Sequence, residues 1–195
     1  MKVRRKLSIN WIEASHLEGQ WQEKNSEEYA AAWQDLEASN GILVPGGFGD
    51  RGVEGKINAA KYARENNVPY LGICLGLQVA TIEFCRNVLG MKGANSTEFY
   101  ENVEYPAVIF MPEISKTHLG GTMRLGSRPT IWQVEDCKIK RLYGAGDSVD
   151  ERHRHRYEVN PDIIDDIERA GLKFVGKDET GQRCEIFELK EAGLT

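Results

Sequence analysis

Two short apolar runs, Gly41-Ile42-Leu43-Val44-Pro45 and Tyr70-Leu71-Gly72-Ile73, each lead through a glycine-bearing turn into a helix-length stretch. This ordering constrains the chain more than any other feature. Runs that are apolar throughout suit strands buried on both faces, and long helical crossovers between them are what parallel strands require. Val53 to Asn67 forms one such stretch, closing at Asn66-Asn67 before Val68-Pro69. Leu75 to Leu89 forms the next, carrying Leu77, Val79, Ala80, Ile82, Phe84 and Val88 and closing at Gly90. The expected fold class is α/β, a mostly parallel central sheet flanked by helices, with functional groups at the C-terminal ends of the strands.

Upstream, Lys6-Leu7-Ser8-Ile9-Asn10-Trp11-Ile12 alternates with period two and predicts a half-buried strand. Ser26 to Leu36 has helical spacing after a capping-box-like start at Ser26. The second half changes character. Ala107 to Met111, Thr130 to Val134 and Tyr157 to Val159 read as strands and Asp162 to Ala170 as a helix. Leu172 to Gly176 and Cys184 to Leu189 read as a hairpin around Glu179-Thr180-Gly181, so antiparallel additions are expected there. With no repeat, low-complexity tract or linker, residues 1–195 read as one domain.

Composition serves mainly to exclude. A net charge of −5 supplies no basic field for a phosphate backbone, so nucleic acid is not expected as a partner. No apolar stretch reaches the ~18 residues of a membrane span, and Met1 to Arg5 lacks the apolar run of a signal peptide, which predicts a cytoplasmic protein without membrane contact. The four cysteines, Cys74, Cys85, Cys137 and Cys184, are scattered without CxxC spacing and are expected to stay reduced.

Gly72-Ile73-Cys74-Leu75-Gly76 has the form Gly-x-nucleophile-x-Gly and stands between a predicted strand and a predicted helix. In such an elbow the nucleophile takes a strained backbone, and side chains at the glycine positions would strike the neighbouring strand and helix. The helix N-terminus is expected to favour thiolate over thiol at Cys74. The competing reading is one more buried cysteine, but the strand-turn-helix context favours a nucleophile. Cys85, Cys137 and Cys184 lack flanking glycines and read as structural.

Pro45-Gly46-Gly47-Phe48-Gly49 follows the preceding strand, where a glycine turn can aim backbone N–H groups at a substrate oxygen and form an oxyanion hole with the Leu75 amide. A plain turn and a phosphate loop are the alternatives, though neither GxGxxG nor a Walker lysine is present. In Glu151-Arg152-His153-Arg154-His155-Arg156-Tyr157, an extended backbone would put both histidines on one face. The surrounding arginines oppose a metal cation and no third ligand is evident, so no metal site is expected. An arginine that grips a carboxylate is the better functional reading.

These strings, with Asn95-Ser96-Thr97-Glu98-Phe99 and Leu119-Gly120-Gly121-Thr122-Met123-Arg124-Leu125-Gly126, closely resemble the glutamine amidotransferase (class I) domain of the CTP synthase family, a flavodoxin-like three-layer fold. The resemblance runs from the first predicted strand to Leu189. It implies that Cys74 attacks the side-chain amide of L-glutamine, forming a thioester that is hydrolysed to glutamate while ammonia passes to a separate synthase domain. There, in the family, UTP is aminated to CTP with ATP and magnesium under GTP stimulation, usually in a homo-oligomer, a tetramer. By the same resemblance the domain itself holds no cofactor. Gly47 and Leu75 would supply oxyanion-hole amides, and Gly47, Phe48, Leu75, Gln78, Glu98 and Arg156 would bind glutamine.

The sequence also departs from the family pattern. The family's triad draws a histidine and a glutamate from a His-Pro-Glu string, which does not occur in these residues, and its first strand-helix unit has no counterpart before Met1. His153 and His155 belong to the other motif, and His16 and His118 have no assigned role. Without the histidine, slow glutamine turnover is expected. Other class I amidotransferases, γ-glutamyl hydrolases and a catalytically silent regulatory or assembly module remain the alternatives; the Arg-His-Arg-His-Arg string speaks against the first two, and intact Cys74, Gln78, Glu98 and Arg156 against the last.

Overall fold

The structure is a computed structural model that describes residues 6–111, 123–144 and 146–189. A 3-10 turn, Ala14–Leu17, precedes α1 (Gly19–Lys24) and α2 (Ser26–Glu37). Then come β1 (Ile42–Val44), α3 (Val53–Glu65), β2 (Tyr70–Gly72) and α4 (Leu75–Asn87). After them follow β3 (Ala94–Ser96), β4 (Tyr105–Phe110), β5 (Arg124–Trp132), α5 (Lys138–Tyr143), β6 (Ser148–His155) and β7 (Tyr157–Val159). A 3-10 turn at Pro161–Ile163, α6 (Ile164–Arg169), β8 (Leu172–Lys177) and β9 (Cys184–Leu189) complete the described fold.

The α/β class, the parallel pairing and the antiparallel second half are all present. Strands β1 and β2 pair in parallel, Ile42 opposite Tyr70 and Val44 opposite Gly72. A second sheet runs β3-β4-β7, with β3 and β4 parallel and β4 and β7 antiparallel, and an antiparallel sheet runs β6-β5-β8-β9. The expected hairpin is the β8–β9 pair.

Helix α4 joins these pieces. It is apolar around most of its circumference, with Val79, Ala80, Ile82 and Cys85 wholly buried, as befits a helix enclosed by its neighbours. It packs on β1, β2, β3, β4, β7 and α3. Its one buried carboxylate, Glu83, is held by Arg64 of α3, whose Nε and Nη2 donate at 2.9 and 2.7 Å. Asn87 Nδ2 donates to the same carboxylate at 3.1 Å, and together these partners offset the cost of a charge at this depth.

Several sequence expectations need correction. Lys6 to Ile12 is not a strand, because a strand needs a ladder partner and none is offered among the described residues; Leu7 and Trp11 are 80% and 88% exposed. The buried-on-both-faces expectation also fails. Cross-strand neighbours Leu43 and Leu71 are 58% and 44% exposed, while Ile42 and Val44 face the helices. The α2 cap is Asn25, whose side chain accepts from Glu28 N–H, and not Ser26. The strand expected at Thr130 to Val134 begins earlier, at Arg124, and stops at Trp132. The helix expected from Asp162 is a 3-10 turn first, with Asn160 capping it. Residues 112–122, which include His118 and the first part of the Leu119–Gly126 string, lie outside the described residues.

Two glycines let the elbow close. A Cβ on Gly76 would lie 2.2 Å from the Val44 carbonyl oxygen, and one on Gly72 would lie 2.6 Å from the Gly76 carbonyl carbon. Both obstacles are backbone and cannot swing aside. Gly76→Ala is therefore expected to cost at least about 1–3 kcal/mol, as overpacking does, seen as a fall of several degrees in melting temperature. Gly19→Ala, with nothing within 4 Å of the added Cβ, should be close to neutral, and equal melting temperatures for the two variants would contradict this reading.

Candidate active site

The chain reverses between β2 and α4 through Cys74, which has φ 54° and ψ −103°. An L residue held there is strained, and surrounding structure must impose the conformation. Three bonds do so. Ile73 N–H donates to the Val44 carbonyl at 2.9 Å, Gly76 N–H to the Ile73 carbonyl at 2.9 Å, and the buried Tyr70 hydroxyl to the Gly76 carbonyl at 2.8 Å. The elbow inferred from the glycine spacing is thus a strand-turn-helix reversal with its thiol at the start of α4.

A cavity of about 450 Å³ opens on Cys74 and is lined by Gly47, Phe48, Gln78, Glu98, Met123, His155, Arg156 and Tyr157. Of the residues singled out from the sequence, only Leu75 does not line it, being buried beneath; its backbone N–H is near enough to the Cys74 thiol to pull it downward. The glycine turn lies close against the nucleophile. A Cβ built on Gly46 would stand 3.3 Å from Cys74 Cβ, and one on Gly47 would stand 3.4 Å from Leu75 Cδ2.

Glu98 follows β3 in a turn that the Ser96 hydroxyl closes by accepting from Glu98 N–H at 3.1 Å. Burial pushes its carboxyl up from the ordinary value, while the Gly49 N–H and the Arg156 charge pull it back. Gln78 reaches out of α4 and donates through Nε2 to the Tyr157 carbonyl at 3.1 Å, tying α4 to β7. Arg156 sits at the break between β6 and β7, so it leaves the alternation of the string and turns into the cavity. Its Nε is buried without a hydrogen-bond partner among the described residues.

The two histidines share a face, as the extended backbone predicted, with ring centroids 5.5 Å apart. Neither is hydrogen-bonded to the thiol. His153 meets the Glu151 carbonyl through Nδ1 and the Glu185 carboxylate through Nε2 at 3.0 Å, and His155 Nδ1 contacts the Tyr157 carbonyl. Burial pushes the Glu185 carboxyl up, but His153, Thr130 and Arg124 outweigh it and leave it below its ordinary value. That buried cluster fastens β6 to β5 and β9 and so fixes where Arg156 emerges. No group of three or more potential metal ligands occurs among the described residues.

One electrostatic expectation is reversed. Burial pushes the Cys74 thiol above its ordinary value; the Leu75 amide and Arg154 oppose this, Glu98 adds to it, and burial wins. The helix terminus is felt but does not dominate. Nothing in the sequence marked Met123, His155 and Tyr157 as wall residues, since each depends on how distant segments meet.

Two measurements follow. Alkylation of Cys74 by iodoacetamide should rise with pH through a midpoint above that of an unstructured thiol, because only the thiolate reacts; a midpoint below it would contradict the burial argument. Cys85 and Cys184, each pushed to about 12 by burial, should stay unlabelled at neutral pH. Replacement of Cys74 reads the strain directly. At an ordinary position alanine is more stable than glycine by about 0.5–1 kcal/mol, whereas at φ 54° the order should invert, with Cys74→Gly melting above Cys74→Ala.

A family model described as glutamine amidotransferase class-I matches residues 12–194. CTP synthase of Eremothecium gossypii is 59% identical over 194 residues, covering 97% of this chain and 34% of that protein. CTP synthase 2 of Saccharomyces cerevisiae is 59% identical over 196 residues with the same coverage, and CTP synthase of Dictyostelium discoideum is 56% identical over 195 residues, 98% of this chain and 34% of that one. The chain therefore spans about a third of the length of these relatives. Among solved structures, the glutaminase domain of Trypanosoma brucei CTPS with bound acivicin superposes with a TM-score of 0.85 at 37% identity, covering 98% of this chain and 71% of that one.

Proposed function

The chain belongs to the class-I glutamine amidotransferases, in the CTP synthase branch, and we propose that it is a glutaminase domain that releases ammonia from L-glutamine at Cys74. The observation that carries this reading is the cavity itself: a thiol on a strained backbone, an anion and a guanidinium whose buried Nε has no partner among the described residues all face one space. Glutamine offers a matching set of groups. Its α-ammonium pairs with Glu98 and its α-carboxylate with the Arg156 fork, while Gln78 and Phe48 bound the chain between. The carboxamide then reaches Cys74.

Cys74 Sγ forms a bond to the carboxamide carbon, and the electron pair of the C=O moves to oxygen. The amides of Gly47 and Leu75 take that developing charge, the kind of contribution worth ~10²- to 10³-fold in rate. Collapse of the tetrahedral species expels ammonia after the nitrogen gains a proton, leaving a thioester. Water then attacks, the C–S bond breaks, and glutamate leaves as the thiol recovers its proton.

The proton transfers call for a general base that the described imidazoles do not provide. We place it outside the described residues, on a His-Pro-Glu string as in the family, and expect ammonia release by the 195-residue chain to lie ~10²- to 10⁴-fold below that of a chain carrying it. In the whole protein, on this proposal, a cytoplasmic homo-oligomer passes the ammonia to a synthase domain that aminates UTP. ATP, magnesium and GTP act there, and no step here is routed through them.

Acivicin and mass spectrometry test the core of the reading. Label on Cys74, blocked by excess glutamine, is expected; label on another cysteine with none on Cys74 defeats it. Arg156→Lys keeps the charge and loses the fork, and charged hydrogen bonds worth about 1.5–3 kcal/mol should weaken glutamine binding ~10- to 100-fold by calorimetry, with melting temperature little changed.

A further inference from the structure

The glycine turn beside Cys74 needs something to hold it. Three of the residues Gly46 to Gly49 are glycines in a row broken only by Phe48, and Gly49 takes φ +80°. Such a segment surrenders much backbone freedom when ordered, and an oxyanion-hole amide is useful only if it stays aimed. One end of the turn lies against Glu98, whose carboxyl the Gly49 N–H pulls down against the effect of burial. The middle is fastened from across the fold. Phe48 is the turn's only side chain, it is 58% exposed, and the Arg154 guanidinium carbon stands 5.4 Å from its ring centroid.

We propose that Arg154 is a positioning residue: through the face of Phe48 it clamps the Gly46–Gly49 turn against Cys74 and so keeps the Gly47 amide aimed at the substrate oxygen. This rests on the glutaminase reading for its consequence in rate, though the clamp itself does not. The geometry separates the arginines of the string by task. Arg156 leaves the alternation at the β6–β7 break and lines the cavity, whereas Arg154 remains on β6, opposite Leu125 of β5, and lines the adjoining cavity that also reaches Cys74. A guanidinium suits this role because its plane can lie over a ring while its rim stays hydrated, which an ammonium cannot match. The same cation also acts on the thiol, opposing the burial that raises it.

Three variants separate these effects: Phe48→Leu removes the ring and keeps the cation, Arg154→Met removes the cation and keeps the stem, and the double variant removes both. Amide hydrogen exchange at Gly47, Phe48 and Gly49 in the ligand-free chain is the first readout. A cation–π contact at an exposed site should show as roughly two- to five-fold faster exchange in each single variant, with no further increase in the double. Effects that multiply in the double, or an Arg154→Met turn that exchanges as in the wild type, overturn the clamp. Acivicin labelling of Cys74 is the second readout and should slow in all three variants to a similar extent. Iodoacetamide, which does not depend on an oxyanion hole, should show a raised pH midpoint in Arg154→Met and an unchanged one in Phe48→Leu. If wild-type Cys74 ignores acivicin while the exchange pattern holds, the glutaminase reading fails and the clamp stands.

Discussion

The contact on which the site depends is the approach of α4 to β1 at Gly76. No side chain could occupy that space, because the Val44 carbonyl oxygen stands 2.2 Å from where a Cβ would begin. The same carbonyl accepts the Ile73 N–H, so one peptide group of β1 both receives the end of β2 and sets the depth of α4. Once α4 sits there, the chain has two residues, Ile73 and Cys74, in which to turn. Cys74 pays that debt with a positive φ that surrounding bonds enforce. Strain, thiol position and amide direction are thus one geometric fact seen three ways.

What could be read in the sequence was local. The glycines at 72 and 76 and the apolar spacing of Leu75 to Leu89 identify an elbow because the requirement is steric and falls within five residues. Strand β7 and the β8–β9 hairpin were legible for similar reasons. Strand formation by Lys6 to Ile12 was not decidable locally: its alternation is real, but a ladder needs a second strand, and sequence pattern does not report whether one is offered. The exposed Leu43 and Leu71 make the same point, since an apolar run says what could be buried and not what arrives to bury it.

The basic string shows where the period of a strand stops being a guide. Alternation correctly put His153 and His155 on one face. It did not foresee that β6 ends at His155 and β7 begins at Tyr157, leaving Arg156 at a bend. That single irregular residue enters the cavity, while Arg154, one strand period before it, stays on the rim. The buried set of Arg124, His153, Thr130 and Glu185 holds β6 in place below it. A buried ion cluster adds little net stability against an apolar substitute, but here it fixes the register from which Arg156 departs.

The charge balance at the thiol follows from depth and not from helix polarity. A dipole at a helix N-terminus is worth typically 0.3–1 kcal/mol, and at the half-buried Cys74 the loss of water outweighs it, so the thiol is pushed above its ordinary value. Glu98 adds to that bias. On the proposed reading, the substrate alters the balance by binding, because an ammonium paired with Glu98 cancels a negative charge that acts on the sulfur. The residue that recognises the substrate then also adds to the upward push on the thiol before the substrate binds. That coupling depends on Glu98 being near both the Gly49 N–H and the Cys74 sulfur.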